Sequence, residues 1–163
     1  MLLGLRVTTL DTLTFHHRTW EALSRDELYA LMALRQQVFV VEQRCAYLDA
    51  DGLDLHATHL WATAPGGEYP VVYCRIFAAG VKYPEACIGR VVSAGAARGT
   101  GAGRALMTEV LRRMDAASGG AVEVVRISAQ SYLQRFYEGF GFRVVSAPYL
   151  EDDIPHLEML RGG

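Results

Sequence analysis

The stretch from Arg98 to Arg104, Arg-Gly-Thr-Gly-Ala-Gly-Arg, limits what this chain can fold into more than any other. An apolar run, Ile88 to Val92, leads into it. Leu106, Met107, Val110, Leu111 and Met114 follow it on one face of a 3.6-residue period. The order is therefore strand, glycine-rich turn, helix. A helix start carries unpaired N–H groups and a partial positive charge, and glycines let the backbone come close to a ligand. With Arg98 and Arg104 at its edges, the turn suits a phosphate or diphosphate.

Two familiar phosphate patterns do not fit. A Walker-type loop needs Lys-Ser or Lys-Thr after its last glycine, where this chain has Arg104-Ala105. A dinucleotide fingerprint G-x-G-x-x-G needs a glycine where Leu106 stands. What remains is the spacing Arg98-x-x-Gly101-x-Gly103, which serves either a diphosphate grip or a plain glycine-rich cap.

At 163 residues the chain is expected to be one domain, 1–163, with the first ten or so residues a loose tail. A net charge of −2 gives no electrostatic footprint for nucleic acid. No apolar run reaches the roughly 18 residues of a membrane span, and the opening Met1 to Arg6 is too short for a signal peptide. Cys45, Cys74 and Cys87 are too scattered for a disulfide framework or a zinc knuckle. A reduced, cytoplasmic setting is the expectation, with Cys74 and Cys87 as core fillers. His56-x-x-His59 suits neither a zincin helix nor a closed zinc site, so no metal is expected.

Along the chain, Thr12 to Arg18 reads as a first strand. Ser24 and Glu27 form a capping box that opens a helix running to about residue 38. Phe39 to Gln43 is a step from apolar to polar. The loop from Arg44 to Thr58 carries Asp49, Asp51 and Asp54. Residues 59–64 and 71–78 read as a hairpin through Pro65-Gly66-Gly67. After the main helix come a strand over 122–127, a helix bearing Tyr132, Leu133, Phe136 and Tyr137, and a glycine stop at Gly139 to Gly141. Arg143 to Val145, an acidic loop over 148–155 and a closing strand over 156–160 complete the pattern. Hairpins first and a β-α-β-α-β half second indicate an α/β fold with a mixed, mostly antiparallel sheet and helices on its faces.

Several ordered segments then point one way: Arg35-x-x-Val38-Phe39-Val40-Val41-Glu42-Gln43, Asp51-x-x-Asp54 with His59, Ile88-Gly89-Arg90-Val91-Val92, and the Arg98 loop. Ala129-Gln130, Phe136-Tyr137-x-x-Phe140-Gly141-Phe142 and Ile154-Pro155-His156-x-x-Met159 follow. Together they resemble the ElaA-type branch of the GNAT superfamily of N-acetyltransferases, over Phe15 to Arg161. The resemblance implies acetyl-CoA as cofactor and a sheet splayed at its cleft. It implies pantetheine pairing with the strand at Val91 and Val92, and the diphosphate on Arg98, Gly99, Thr100, Gly101, Ala102, Gly103 and Arg104. Gln130 stands where many members of the superfamily carry asparagine near the cofactor tail. The Arg35-x-x-Val38-Phe39 segment is also faintly similar to acyl-homoserine-lactone synthases.

The implied reaction is acetyl transfer to a primary amine of a small molecule or peptide, by direct attack in a ternary complex. It needs a donor for the oxyanion, an acid for the leaving thiolate and a route for the amine's proton. The expected oxyanion donor is the Val92 backbone N–H. Tyr137 is the candidate acid, since a phenol of pKa about 10 is protonated at neutral pH. Glu42, His59 and His156 are the candidate bases, and an amine already neutral would need none. Asp49, Asp51, Asp54 and the cluster Glu151 to Asp153 are either solvated loops or acidic walls of an acceptor entrance. Arg75 and Arg90 read as solvent-facing or ion-paired strand residues, with binding of an acceptor carboxylate as the alternative. The alternative function is a non-catalytic acyl-CoA sensor or interaction module on the same fold. A homodimer is an open expectation.

Overall fold

The computed structural model describes residues 13–163, so the expected N-terminal tail and Thr12 lie outside the described residues. Among the described residues, eight strands and three α-helices follow in the order β1 Thr14–Thr19, α1 Arg25–Arg35, β2 Thr58–Thr63, β3 Pro70–Phe77, β4 Ala86–Ser93, α2 Ala102–Ala117, β5 Val125–Gln130, α3 Gln134–Glu138, β6 Phe142–Val144, β7 Tyr149–Glu151 and β8 Ile154–Arg161. The strands follow the order β1-β2-β3-β4-β5-β8-β6, with β7 paired to β8.

The chain divides into two compact units. The first comprises the described residues through Arg75 together with Arg90–Met107, and the second comprises Ile76–Gly89 with Thr108–Gly163. In the first unit, β1 and β2 pair antiparallel from Thr14↔Thr63 to Thr19↔Thr58. In the second, β4 pairs with β5 in parallel at Ala86↔Val125 and Cys87↔Arg126, and β5 pairs with β8 in antiparallel register over six positions. The sheet is thus mixed and mostly antiparallel, with the parallel register of β4 on β5 ending after Cys87.

Both halves of the capping box are present. Glu27 N donates to Ser24 Oγ at 3.1 Å and Ser24 N donates to Glu27 Oε2 at 2.9 Å. The helix they open does not end near residue 38. After Arg35 the chain widens into a π-helical turn, Gln36–Glu42, in which Gln43 N reaches back five residues to Val38 O. Leu31, Leu34 and Val38 face inward and pack with Trp61, Tyr73 and Val92. On α2, all five expected core positions, Leu106, Met107, Val110, Leu111 and Met114, are buried. Cys74 and Cys87 are buried free thiols that fill core space.

Two boundaries differ from the sequence reading. The strand expected over 122–127 forms over Val125–Gln130, because Val125, Ile127 and Ala129 alternate into the core while Val122 stays exposed. The expected acidic loop at 148–155 is a β-hairpin: β7 turns into β8 through Asp152 and Asp153, at φ +50° and +61°. Two successive left-handed residues match the twist of a two-residue hairpin, and aspartate tolerates that conformation better than most side chains.

Replacing Ser24 by alanine removes the Oγ acceptor of Glu27 N and leaves the other half of the cap, the backbone N–H of residue 24, in place. Urea unfolding of Ser24→Ala is expected to show a loss of about 1 kcal/mol with an unchanged slope.

Candidate active site

The glycine-rich turn forms the start of α2. Gly99 and Gly101 adopt φ of +73° and +90°, a region that favours glycine. Thr100 Oγ1 donates to Ala97 O at 2.7 Å and accepts from Ala102 N at 3.3 Å, capping the helix. Ala105 N is bonded to Gly101 O, so residues 101–104 supply the terminal amides that have no intrahelical carbonyl to reach. Gly103 packs close to β4, and a Cβ there would lie 3.3 Å from Ser93 Oγ. The backbone geometry, the helix end and the flanking Arg98 and Arg104 fit a diphosphate.

Arg98 is held in place by protein groups. Its Nη2 donates to Ser93 O at 3.2 Å and to the Glu42 carboxylate in an ion pair. Glu42 sits on the last residue of the π-helical turn. The structure therefore brings together two residues the sequence reading kept apart, one assigned to the cofactor loop and one to the acceptor's proton.

The end of β4 answers which amide is available. Ala94 N donates to Val71 O at 2.8 Å, joining the end of β4 to the start of β3 and making the two strands antiparallel. Ladder N–H groups alternate with a period of two. Val92 therefore shares the orientation of Ala94 and turns its N–H toward β3, while Val91 and Ser93 point theirs away. The side chain of Val92 is buried beside that of Tyr73, as neighbours on one face of this register would be. Val91 N–H, and not the expected Val92 N–H, is therefore turned away from β3.

Just before Val91, Arg90 has φ +51°, a left-handed residue within a strand. That conformation costs on the order of 1–2 kcal/mol for a residue with a Cβ. The compensation is electrostatic. Arg35, Arg75 and Arg90 alternate with Asp54, Asp51 and Asp49 in a closed ring of ion pairs. Arg35 Nη1 meets Asp54 Oδ1 at 2.7 Å, Arg75 meets Asp54 Oδ1 at 3.0 Å and Asp51 Oδ2 at 2.6 Å, and Arg90 meets Asp51 Oδ2 at 3.3 Å and Asp49 Oδ1 at 2.8 Å. Arg35 Nε closes the circuit 2.9 Å from Asp49 Oδ2, a distance of ion pairing without hydrogen-bond alignment. The Tyr47 hydroxyl donates to Asp49 at 3.0 Å, and its ring lies 5.0 Å from the Arg90 guanidinium.

Arg35 and Arg75 are each 1% exposed, so neither faces solvent. Burial opposes ionisation of Asp51 and Asp54, yet the guanidiniums of Arg75 and Arg35 prevail and hold both carboxyls below their usual range. Burial likewise disfavours the Arg35 cation, and its surroundings, with Tyr73, Asp54 and Asp49 foremost, raise its pKa overall. Asp49 and Asp54 are therefore buried and ion-paired, and Asp51, though exposed, is tied into the same ring by Arg75 and Arg90. An arginine in each of two apolar strand runs, opposite a loop rich in aspartate, was the available signal. A buried guanidinium requires such partners.

His59 belongs to this core and not to an open surface. It is 1% exposed, with Nε2 donating to Asp54 O at 3.1 Å and Nδ1 accepting from the Tyr73 hydroxyl at 2.8 Å. Burial favours the neutral imidazole and moves its pKa down. With both nitrogens engaged, no lone pair faces a substrate amine.

The second unit holds Tyr137, Gln130 and His156. Tyr137 lies buried on α3, edge-on to Phe136 and Phe142. Gln130 ends β5 opposite His156 in the register with β8. His156 Nδ1 donates to Ile154 O at 2.7 Å, and its ring stacks near Tyr149. Tyr149 and the Glu151 carboxylate both engage Ser128 Oγ, at 2.6 and 3.1 Å, so Glu151 is tied to β5 and not an isolated loop charge. No helix among the described residues is long and apolar enough to cross a membrane.

Known proteins share this sequence and geometry. A family model described as an acetyltransferase (GNAT) domain matches residues 75–161. ElaA of Escherichia coli is 39% identical over 146 residues, covering 90% of this chain and 92% of that protein. Its crystal structure superposes with a TM-score of 0.82, over 92% of this chain and 99% of the other, at 36% identity. An acyl-CoA N-acyltransferase from Pseudomonas aeruginosa gives a TM-score of 0.84 at 40% identity, covering 93% of this chain and all of that one. The chain belongs to the GNAT acetyltransferase family, in its ElaA-like branch. Its fold is the GNAT fold, and the chemistry of that family is acyl transfer from a CoA-linked donor.

The lowered pKa of His59 fixes a sign for stability. The unfolded chain binds the proton at the ordinary 6.5 and the folded chain only at lower pH, so the contribution is complete above 6.5 and drains away as pH falls below it. The loss of stability between pH 7 and pH 5, read from urea midpoints, is expected to be smaller in His59→Gln than in the unaltered protein.

Proposed function

We propose that this chain transfers an acetyl group from acetyl-CoA to a primary amine of a small molecule or peptide, by direct attack while both are bound. The observation that carries the reading is the capped start of α2, with left-handed Gly99 and Gly101 between two arginines. On this reading residues 1–163 act as one N-acetyltransferase domain. The thioester supplies an activated acyl carbon. The amides of Gly99 to Arg104 and the Arg98 guanidinium bind the diphosphate, and the polar edge of Val91 and Ser93 orients the pantetheine arm. Gln130, at the end of β5, is a further contact for the cofactor tail.

Val91 N–H donates to the acyl oxygen as negative charge develops there, a role a main-chain donor fills without reorganisation. Tyr137 is the acid that protonates the departing thiolate, and its T-shaped packing against Phe136 and Phe142 keeps the ring in one orientation. We assign no dedicated base. Glu42 is committed to Arg98 and His59 to Tyr73 and Asp54, so the amine sheds its proton to water before it reacts.

Gly101→Glu sets bulk and negative charge against the diphosphate. Calorimetry on the folded variant is expected to show CoA affinity reduced at least tenfold, and unchanged affinity would remove the loop from the site. Tyr137→Phe is expected to lower kcat by about 10²-fold while leaving CoA affinity within threefold. Thiol release from acetyl-CoA across a panel of amines tests the whole reading. Tight CoA binding with no turnover of any amine would favour an acyl-CoA sensor instead.

A further inference from the structure

We infer that Arg90, clamped by Asp49 and Asp51, is a positioning residue whose left-handed backbone aims the Val91 N–H at the acyl oxygen. The inference rests on the acyl-transfer reading above and assigns the ring of ion pairs a part in it. The peptide plane carrying Val91 N–H is the one between Arg90 and Val91, so its direction is set by the backbone torsions of Arg90. Those torsions lie in a region that a strand residue leaves readily.

Three contacts oppose that return. Arg90 Nε donates to Asp49 Oδ1 at 2.8 Å, and Nη2 lies 3.3 Å from both Asp49 O and Asp51 Oδ2. Asp49 and Asp51 cannot drift, because Arg35 and Arg75 hold them from the other side. On the far side of Val91, the Val92 side chain is wedged among Leu31, Leu34, Val38 and Tyr73. The Val91 amide is thus fixed from both flanks, one electrostatic and one apolar. A ring serving stability alone would have no need of a strained residue at this position.

The test uses the full chain with acetyl-CoA and CoA as probes. In the unaltered protein, the 15N-resolved Val91 amide is expected to shift downfield with acetyl-CoA and not with CoA. Arg90→Gly keeps the left-handed conformation accessible while deleting the clamp. It is expected to lose that shift and at least tenfold in kcat for the best amine acceptor, with CoA affinity within threefold. Arg90→Lys, which retains one charged contact, is expected to recover part of both. If Arg90→Gly does not fold, Asp51→Asn, at the more exposed side of the ring, is read by the same criteria. A lowered Tm with the shift retained and kcat within threefold would overturn the inference and leave the acyl-transfer reading intact. No CoA binding and no turnover in the unaltered protein would overturn both.

Discussion

A closed circuit of six charges organises the first unit. Helix α1 contributes Arg35, the 49–54 segment contributes three aspartates, β3 contributes Arg75 and β4 contributes Arg90. Four separate pieces of chain therefore meet at one electrostatic point. Desolvating a charge is costly, and pairing repays it only when every partner is in place. Here each guanidinium touches two carboxylates and each carboxylate two guanidiniums, so the sum is neutral and none of the six lacks a counter-charge. Arg35, Arg75, Asp49 and Asp54 are buried, so their pairs are screened little by salt, unlike the exposed pair of Arg112 and Glu109 on α2.

The circuit is tied to the apolar core beside it. Tyr73 lies within reach of the Arg35 guanidinium and donates to His59, which in turn donates to the carbonyl of Asp54. Tyr73 is also a member of the cluster that buries Val92 and the inner face of α1. Polar and apolar packing are therefore continuous in this unit. The end of β4, where Val92 is buried and Arg90 is ion-paired, is set by both.

Much of this architecture could be read from residue order. The helix after the glycine turn, the capping box at Ser24 and the core stripe of α2 follow from short-range rules that operate within one element, and each formed as expected. The misreadings share a different origin. A π-helical turn has the same residues as an α-helix that ends, and only packing of Val38 against Trp61 and Tyr73 distinguishes the two. The hairpin at Asp152-Asp153 lacks the glycine that usually announces one, because pairing of β7 with β8 overrides the local preference. His59 looked like an available imidazole since nothing nearby in sequence reveals Tyr73 closing over it.

The candidate site shows the same division. The turn from Arg98 to Arg104 was legible as a glycine-rich helix start, whereas the direction of the Val92 N–H was not, because an N–H in a strand reverses with every residue. The three aspartates were visible as a cluster, but their partners stand 14 to 41 residues away along the chain. Such a circuit constrains how the protein can diverge. Replacing any one of its buried members, Arg35, Arg75, Asp49 or Asp54, leaves an excess opposite charge in the interior, so neutral drift cannot readily dismantle it one substitution at a time. Lineages that lose it must exchange several of the six together, or first loosen the interior enough to admit water.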